Sequence, residues 1–259
     1  MADEILLHRD GAVATVVLNR PERMNALNLA SWRGLDDAFA RLEGGSEVRC
    51  VVLRGAGTQA FAPGADIAEF DTDRATAAQA KAYDVIMRGA LDRVRNCPHP
   101  TIAQIHGPCV GGGLELAAMC DLRLSAESGK FGVPISRISV VMAYPELAAI
   151  QRLIGPARMM EILLEAKIVD AAEALRWGLI HRVVADDALD AEVQATTRRI
   201  TAGAPLVHAW HKRFVRRLGE AEPVDAADLD ECYEFLDTDD YREGIAAFKD
   251  KRRPVFRGR

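Results

Sequence analysis

Three consecutive glycines, Gly111 to Gly113, are followed at once by Leu114, Leu116, Ala117, Ala118 and Met119, an apolar stretch interrupted only by the charge of Glu115. Apolar residues nearly all round a helix mark one buried on every side. The run before the glycines, Thr101 to Ile105, follows Pro98 and Pro100 and is rich in β-branched residues. It reads as a buried strand that stops at His106-Gly107-Pro108. A strand entering a helix through glycine leaves first-turn N–H groups bare and lets another molecule approach the main chain. Those groups and the helix dipole favour negative charge there. Ile102 to Asp121 thus offers oxyanion donors and a half-buried acid or base, Glu115, within a few residues of each other. Tight strand–helix packing needs the same glycines, so this stretch alone leaves both readings open.

The chain has 259 residues, enough for one large domain or a domain with an appendage. Met1-Ala2-Asp3-Glu4 is acidic where a signal peptide would be basic, and no run of apolar residues is long enough to span a bilayer. A cytoplasmic protein without membrane contact is therefore expected. Cys50, Cys97, Cys109, Cys120 and Cys232 are scattered among mostly apolar neighbours and read as small buried hydrophobes, and the histidines show no metal-ligand spacing. A net charge of −5 argues against a nucleic-acid partner, although Lys249, Lys251, Arg252 and Arg253 are locally basic.

Along the chain, Ile5–Leu7 and Val13–Leu18 suggest a hairpin turned at Asp10-Gly11. A helix from about Ser31 to Leu42 would align Trp32, Leu35, Phe39 and Leu42 and close at Gly44-Gly45. Val48–Leu53 reads as a strand buried on both faces. A loop then runs from Gly55 to Gly64, and a long helix spans about Ala75 to Arg95. Further strands are expected at Leu122–Ala126 and Ile180–Val184. Helices are expected at Pro145–Ile154, Pro156–Leu164 and Ala171–Trp177, the last stopped by Gly178. After Asp187 nearly everything is helical in pattern, with interruptions near Pro205 and Pro223.

Four stretches, in order, carry a family resemblance: Asn19-Arg20-Pro21 with Asn25-Ala26-Leu27; Ala60-Phe61-Ala62-Pro63-Gly64-Ala65-Asp66-Ile67; Gly107 through Asp121; and Phe131-Gly132 with Gln151-Arg152-Leu153 and Gly178-Leu179-Ile180. The chain resembles the crotonase superfamily, the enoyl-CoA hydratase/isomerase family. The resemblance implies an α/β fold, a crotonase-like ββα spiral core over 1–186. A C-terminal all-helical region, 187–259, would cover the site and build trimers or hexamers. It implies an acyl-CoA thioester substrate whose CoA is part of the substrate, with no separate cofactor and no metal. The thioester oxygen would be held by the N–H groups of Ala65 and Gly112, beside the acid/base Glu115. Substrate binding carries over to Ala26, Ala62, Gly64, Ala65, Asp66, Ile67, Ala68, Gly111, Gly112 and Pro134. Arg20 and Arg23, near the first motif, are candidates for the CoA phosphates.

One departure limits the analogy. The family's hydratases place a second glutamate directly after the proline that matches Pro134, and here Ile135 follows. The resemblance then implies an enzyme acting through an enolate with Glu115 as its single acid/base. A 2-enoyl-CoA hydratase comes first; a double-bond isomerase, a decarboxylase, a thioester hydrolase or a CoA-thioester-binding protein are alternatives. Tyr144 and Glu146 could replace the missing carboxylate, but Pro145-Glu146 reads more simply as the first turn of a helix. Asp66 is expected to fix its loop and His106 to be a satisfied core histidine. The acyl group is not legible, because the pocket walls fall in Ala68–Met87 and Ile135–Ala148.

Overall fold

Gly11, at φ +53°, turns the chain back on itself, so β1 (Ile5–Asp10) and β2 (Val13–Leu18) pair antiparallel, with Leu18 opposite Ile5. The computed structural model describes residues 3–43, 47–219 and 222–259. Asn28 caps α1 (Leu29–Ala40), its side chain accepting from the Ser31 N–H at 2.8 Å. Trp32, Leu35, Phe39 and Leu42 are all buried along one side of the helix and the turn after it, as their spacing requires. The close expected at Gly44-Gly45 lies outside the described residues.

The chain continues through β3 (Cys50–Gly55), α2 (Ala77–Asn96), β4 (Thr101–Ile105), β5 (Pro108–Val110), α3 (Gly112–Met119), β6 (Leu122–Ala126) and β7 (Lys130–Gly132). Then come α4 (Tyr144–Glu165), β8 (Ile168–Asp170), α5 (Ala171–Arg176) and β9 (Arg182–Val184). One sheet runs β1-β2-β3-β4-β6-β9, parallel everywhere after the hairpin. Every residue of β4 is buried, in keeping with a parallel strand covered on both faces. A second sheet runs β5-β7-β8.

β4 stops at His106-Gly107-Pro108, as its sequence predicts; the new strand that follows at once, β5, carries no such local signal. The chain turns at Gly107 (φ +56°), where an added Cβ would lie 2.0 Å from the Gln59 carbonyl oxygen, and re-enters a sheet as β5. β8 was not foreseen either. Three residues carry no readable period, and their partners are distant in sequence. The two helices expected around Gly155 are present as halves of α4, separated by that residue at φ +75°, ψ +164°.

The last quarter of the chain holds α6 (Leu189–Thr201), α7 (Pro205–Arg217), α8 (Ala226–Glu231) and α9 (Asp239–Lys249). α6 is part of the core: Leu189 and Val193 pack with Cys50, Val52, Ile102 and Leu124. α7 and α8 contain no buried residue at all. Cys50, Cys97, Cys109 and Cys120 are buried and Cys232 is exposed. Among the described residues, no helix is long and apolar enough to cross a membrane.

Candidate active site

Two short parallel bridges bring the sequence motifs together. Leu27 pairs with Ala65, and Ala62 pairs with Cys109 of β5. In the first bridge the Leu27 N–H donates to Gly64 O and the Asp66 N–H to Leu27 O, each at 2.8 Å. A parallel bridge uses the groups on either side of its central residue. The N–H of Ala65 itself is therefore left over, and it meets no acceptor among the described residues. Gly112 is the first residue of α3, so its N–H is one of the helix's orphan donors. The two stand close: a Cβ built on Gly112 would lie 3.8 Å from the Ala65 nitrogen, and one on Gly64 3.6 Å from the Gly112 nitrogen. Gly113 packs against the same loop, where a Cβ would come within 2.2 Å of Ala62 O. The glycines thus serve both purposes considered from the sequence, tight packing at Gly113 and a bare amide at Gly112.

Glu115, one turn into α3, is 8 % exposed and lines a cavity of about 320 Å³ together with Gly64, Ala65, Gly111 and Gly112. Its carboxyl accepts no hydrogen bond from the described residues. Burial, followed by the negative charge of Glu146, pushes its pKa up to about 7, partly opposed by Arg74 and Arg88. A carboxyl poised near neutrality is suited to both giving and taking a proton.

Glu146 is the main surprise. It does stand in the first turn of α4 after Pro145, but it is not a surface acid capping a helix dipole: it is 2 % exposed and lines the same cavity as Glu115. Arg88 of α2 donates its Nε to Glu146 Oε1 at 2.9 Å and a terminal nitrogen to Asp84 Oδ2 at 3.1 Å. Tyr144, at 88 % exposure, points to solvent and does not line the cavity. Ile135 does line it, as an apolar wall with Ile138, Val140 and Met142.

A further part of the cavity lining is braced by a relay. Trp32 Nε1 donates to the Tyr83 hydroxyl at 3.1 Å, and Tyr83 donates to Glu69 at 3.0 Å. Glu69 in turn accepts the Leu29 N–H at the start of α1. Arg74 lies over the rings of Phe70 and Tyr83, 4.9 and 4.8 Å from their centroids. Glu69, Phe70, Arg74 and Tyr83 come from Ala68–Met87, one of the two segments expected to shape the pocket.

Of the residues carried over by resemblance, Gly64, Ala65, Ile67, Gly111, Gly112, Glu115 and Pro134 line the cavity. Ala26, Ala62, Asp66 and Ala68 do not. Ala62 is fully buried, its N–H bonded to Pro108 O and its carbonyl to the Val110 N–H, so it holds the loop to β5. Asp66 accepts from Arg20 at 2.8 Å and from the Ala68 N–H at 3.2 Å, fixing its loop. Ala26 offers its carbonyl to Arg20 at 2.7 Å. Arg20 is thereby committed to Glu4, Asp66 and Ala26 and acts as an internal clamp. His106 is buried, with a ring nitrogen 3.2 Å from Asp186 O. The lining residues among those described all lie between Trp32 and Glu146; none comes from 187–259. A larger cleft of about 700 Å³ between the core and α7 contains none of the expected groups, and its Asp121 is paired with Lys212 and Arg216.

Two neighbouring amides without an acceptor among the described residues, in one cavity with a near-neutral carboxyl, are the groups that an enzyme stabilising an oxyanion while moving a proton requires. Residues 8–259 match the family model for enoyl-CoA hydratase/isomerase, and the chain belongs to that family. It is 35% identical over 257 residues to a probable enoyl-CoA hydratase of Mycobacterium tuberculosis, covering 98% of both chains. It is 35% identical over 266 residues to the (E)-benzylidenesuccinyl-CoA hydratase of Thauera aromatica, covering 98% of this chain and 99% of that one. The crystal structure of an enoyl-CoA hydratase/carnithine racemase from Magnetospirillum magneticum superimposes with a TM-score of 0.98 at 65% identity, over 100% of this chain and 97% of that one. The fold is the crotonase fold.

Proposed function

We propose that this protein is a cytoplasmic 2-enoyl-CoA hydratase that works through a thioester enolate, with Glu115 moving the proton and the N–H groups of Ala65 and Gly112 holding the oxygen. The observation that carries the reading is the pairing of those two unused amides beside Glu115. Addition to C3 of an enoyl thioester places negative charge on the carbonyl oxygen, where preorganised donors act with little reorganisation. The substrate is the whole acyl-CoA, so no separate cofactor is required. Relatives named as hydratases, including a crotonyl-CoA hydratase of Syntrophomonas wolfei at 30% identity, support the same reaction.

The reaction is tested by incubating the protein with crotonyl-CoA and with a 3-enoyl-CoA while following absorbance of the conjugated thioester. Loss of absorbance from crotonyl-CoA is the expected result. A gain from the 3-enoyl-CoA, with crotonyl-CoA unchanged, would make the protein an isomerase. Calorimetry should also show acetoacetyl-CoA binding more tightly than free acetoacetate, because the carbonyl oxygen and the CoA are recognised together. Equal affinity for the two would remove the thioester from the site.

The same reading includes an assembly. α7 is amphipathic yet buries no residue, and Val215, Leu218, Leu229, Tyr233 and Phe248 are exposed, Phe248 at 85 %. So much apolar surface on one region fits contact with further copies of this chain, as a trimer or a dimer of trimers. The described residues of region 187–259 contribute nothing to their own cavity, so the covering role expected of that region would have to act across a subunit boundary. Sedimentation should find a trimer or hexamer; a stable monomer at micromolar concentration would contradict this.

A further inference from the structure

We propose that Glu146 is the second carboxylate of this active site, acting with Glu115 on the water that adds to the enoyl thioester. The inference rests on the hydratase reading above and adds a residue that the family motifs do not mark. Ile135 occupies the position after Pro134 and can hold no proton, yet the cavity is lined by two glutamates, Glu115 and Glu146, besides Asp84, which is paired with Arg74 and Arg88. The second arrives from the next element, at the start of α4.

Three observations carry this. Glu146 faces the cavity that holds Glu115 and the two amides, while being almost wholly buried. Its Oε1 is occupied by Arg88, which fixes the carboxylate's orientation through a bond of 2.9 Å. Its Oε2 is buried and finds no donor among the described residues. Buried carboxylate oxygens are nearly always satisfied, so one left open beside a reaction cavity points to a donor brought in with the reactants. Water is such a donor. A purely structural acid paired with Arg88 would have both oxygens engaged or one in solvent.

In the proposed step Glu115 is the proton donor and Glu146 the acceptor. As the water oxygen bonds to C3, Glu146 takes a proton from that water. The C2=C3 pair shifts to C1–C2, and the thioester C=O pair moves onto oxygen, held by Ala65 and Gly112. Glu115 gives its proton to C2 as the enolate pair returns. Exchange through solvent then moves the proton from Glu146 back to Glu115. One water is consumed, and no oxidant or further reactant is needed. Arg88 is a positioning residue here, touching Glu146 and not the substrate.

The test compares the full-length wild type with Glu146→Gln and Glu146→Asp. Hydration of crotonyl-CoA is followed across pH, and acetoacetyl-CoA titration reports binding. Glu146→Gln should lower kcat about a hundredfold, the lower end for a positioned acid or base, with thioester binding retained. It should also move the Glu115 limb of the kcat/KM profile below its wild-type position near pH 7, because a negative neighbour is gone while Arg74, Arg88 and Asp84 remain. That shift reports the charge of Glu146 beside Glu115; the fall in kcat with thioester binding retained is what a residue that only supports the fold would not give. Glu146→Asp keeps the charge and withdraws the carboxylate, so it should keep the limb and lose rate. Wild-type turnover in Glu146→Gln, with the parent enzyme active, overturns this proposal and leaves the hydratase reading intact. A parent enzyme inactive on crotonyl-CoA and on longer 2-enoyl-CoA thioesters overturns both. Should Glu146→Gln fail to fold, wild-type kcat in Glu146→Asp overturns the proposal.

Discussion

Glu115→Gln should lower kcat for hydration about a hundred- to ten-thousand-fold, the range for a positioned proton-transfer group, while leaving acetoacetyl-CoA binding nearly unchanged. Gln keeps the shape of the side chain on α3 and loses only its proton. The same substitution should stabilise the protein in a pH-dependent way. Glu115 has a folded-state pKa of about 7 against a reference value of 4.5. Below the reference value the carboxyl is neutral in both states, and its contribution is fully present. As pH rises through about 7 the folded state must accept a buried charge, and that contribution is lost. The span corresponds to about 3 kcal/mol, taking roughly 1.4 kcal/mol per unit. Gln does not titrate, so urea unfolding should show the variant gaining on the wild type by up to that amount between pH 4.5 and 8. Wild-type turnover in Glu115→Gln, or a stability difference that ignores pH, would remove Glu115 from the centre of the mechanism.

Gly112→Pro should cost about a hundred- to a thousandfold in kcat, the usual loss on removing one oxyanion donor. The first residue of a helix is where proline is most at home, and its missing N–H breaks no helix bond. The matched control is Gly112→Ala. It keeps the N–H, and its Cβ would meet nothing closer than 3.6 Å, at Trp32 Cζ2. Alanine should therefore retain most of the activity. If both substitutions cost the same, the effect comes from the added carbon, and the amide of Gly112 holds no oxygen.

Some of this site is local and some is not. The bare amide of Gly112 and the acid one turn later are properties of a glycine-rich helix start, and both are legible in Gly111 to Glu115. The second donor is different. Nothing in Gly64-Ala65-Asp66 says that the Ala65 N–H is unused; that follows only from the parallel bridge to Leu27, which takes the groups on either side. Arg20 looked like a candidate for phosphate contact, yet three internal acceptors, two of them remote in sequence, claim it. Pro145-Glu146 has the local form of a helix start and is one. Its carboxylate is held by Arg88, 58 residues earlier, reaching across from α2.

The sequence by itself determined the hairpin, the buried faces of α1 and β3, the strand-to-helix turn at the glycines, and Glu115, because each rests on periodicity or on backbone chemistry within a dozen residues. Only the tertiary structure decided that β5 and β8 exist, that Ala65 has a spare amide, and that Glu146 lines the same cavity as Glu115. Those features arise where distant segments meet. The raised pKa of Glu115 belongs with them, since its causes are burial by neighbouring elements and the charge of Glu146.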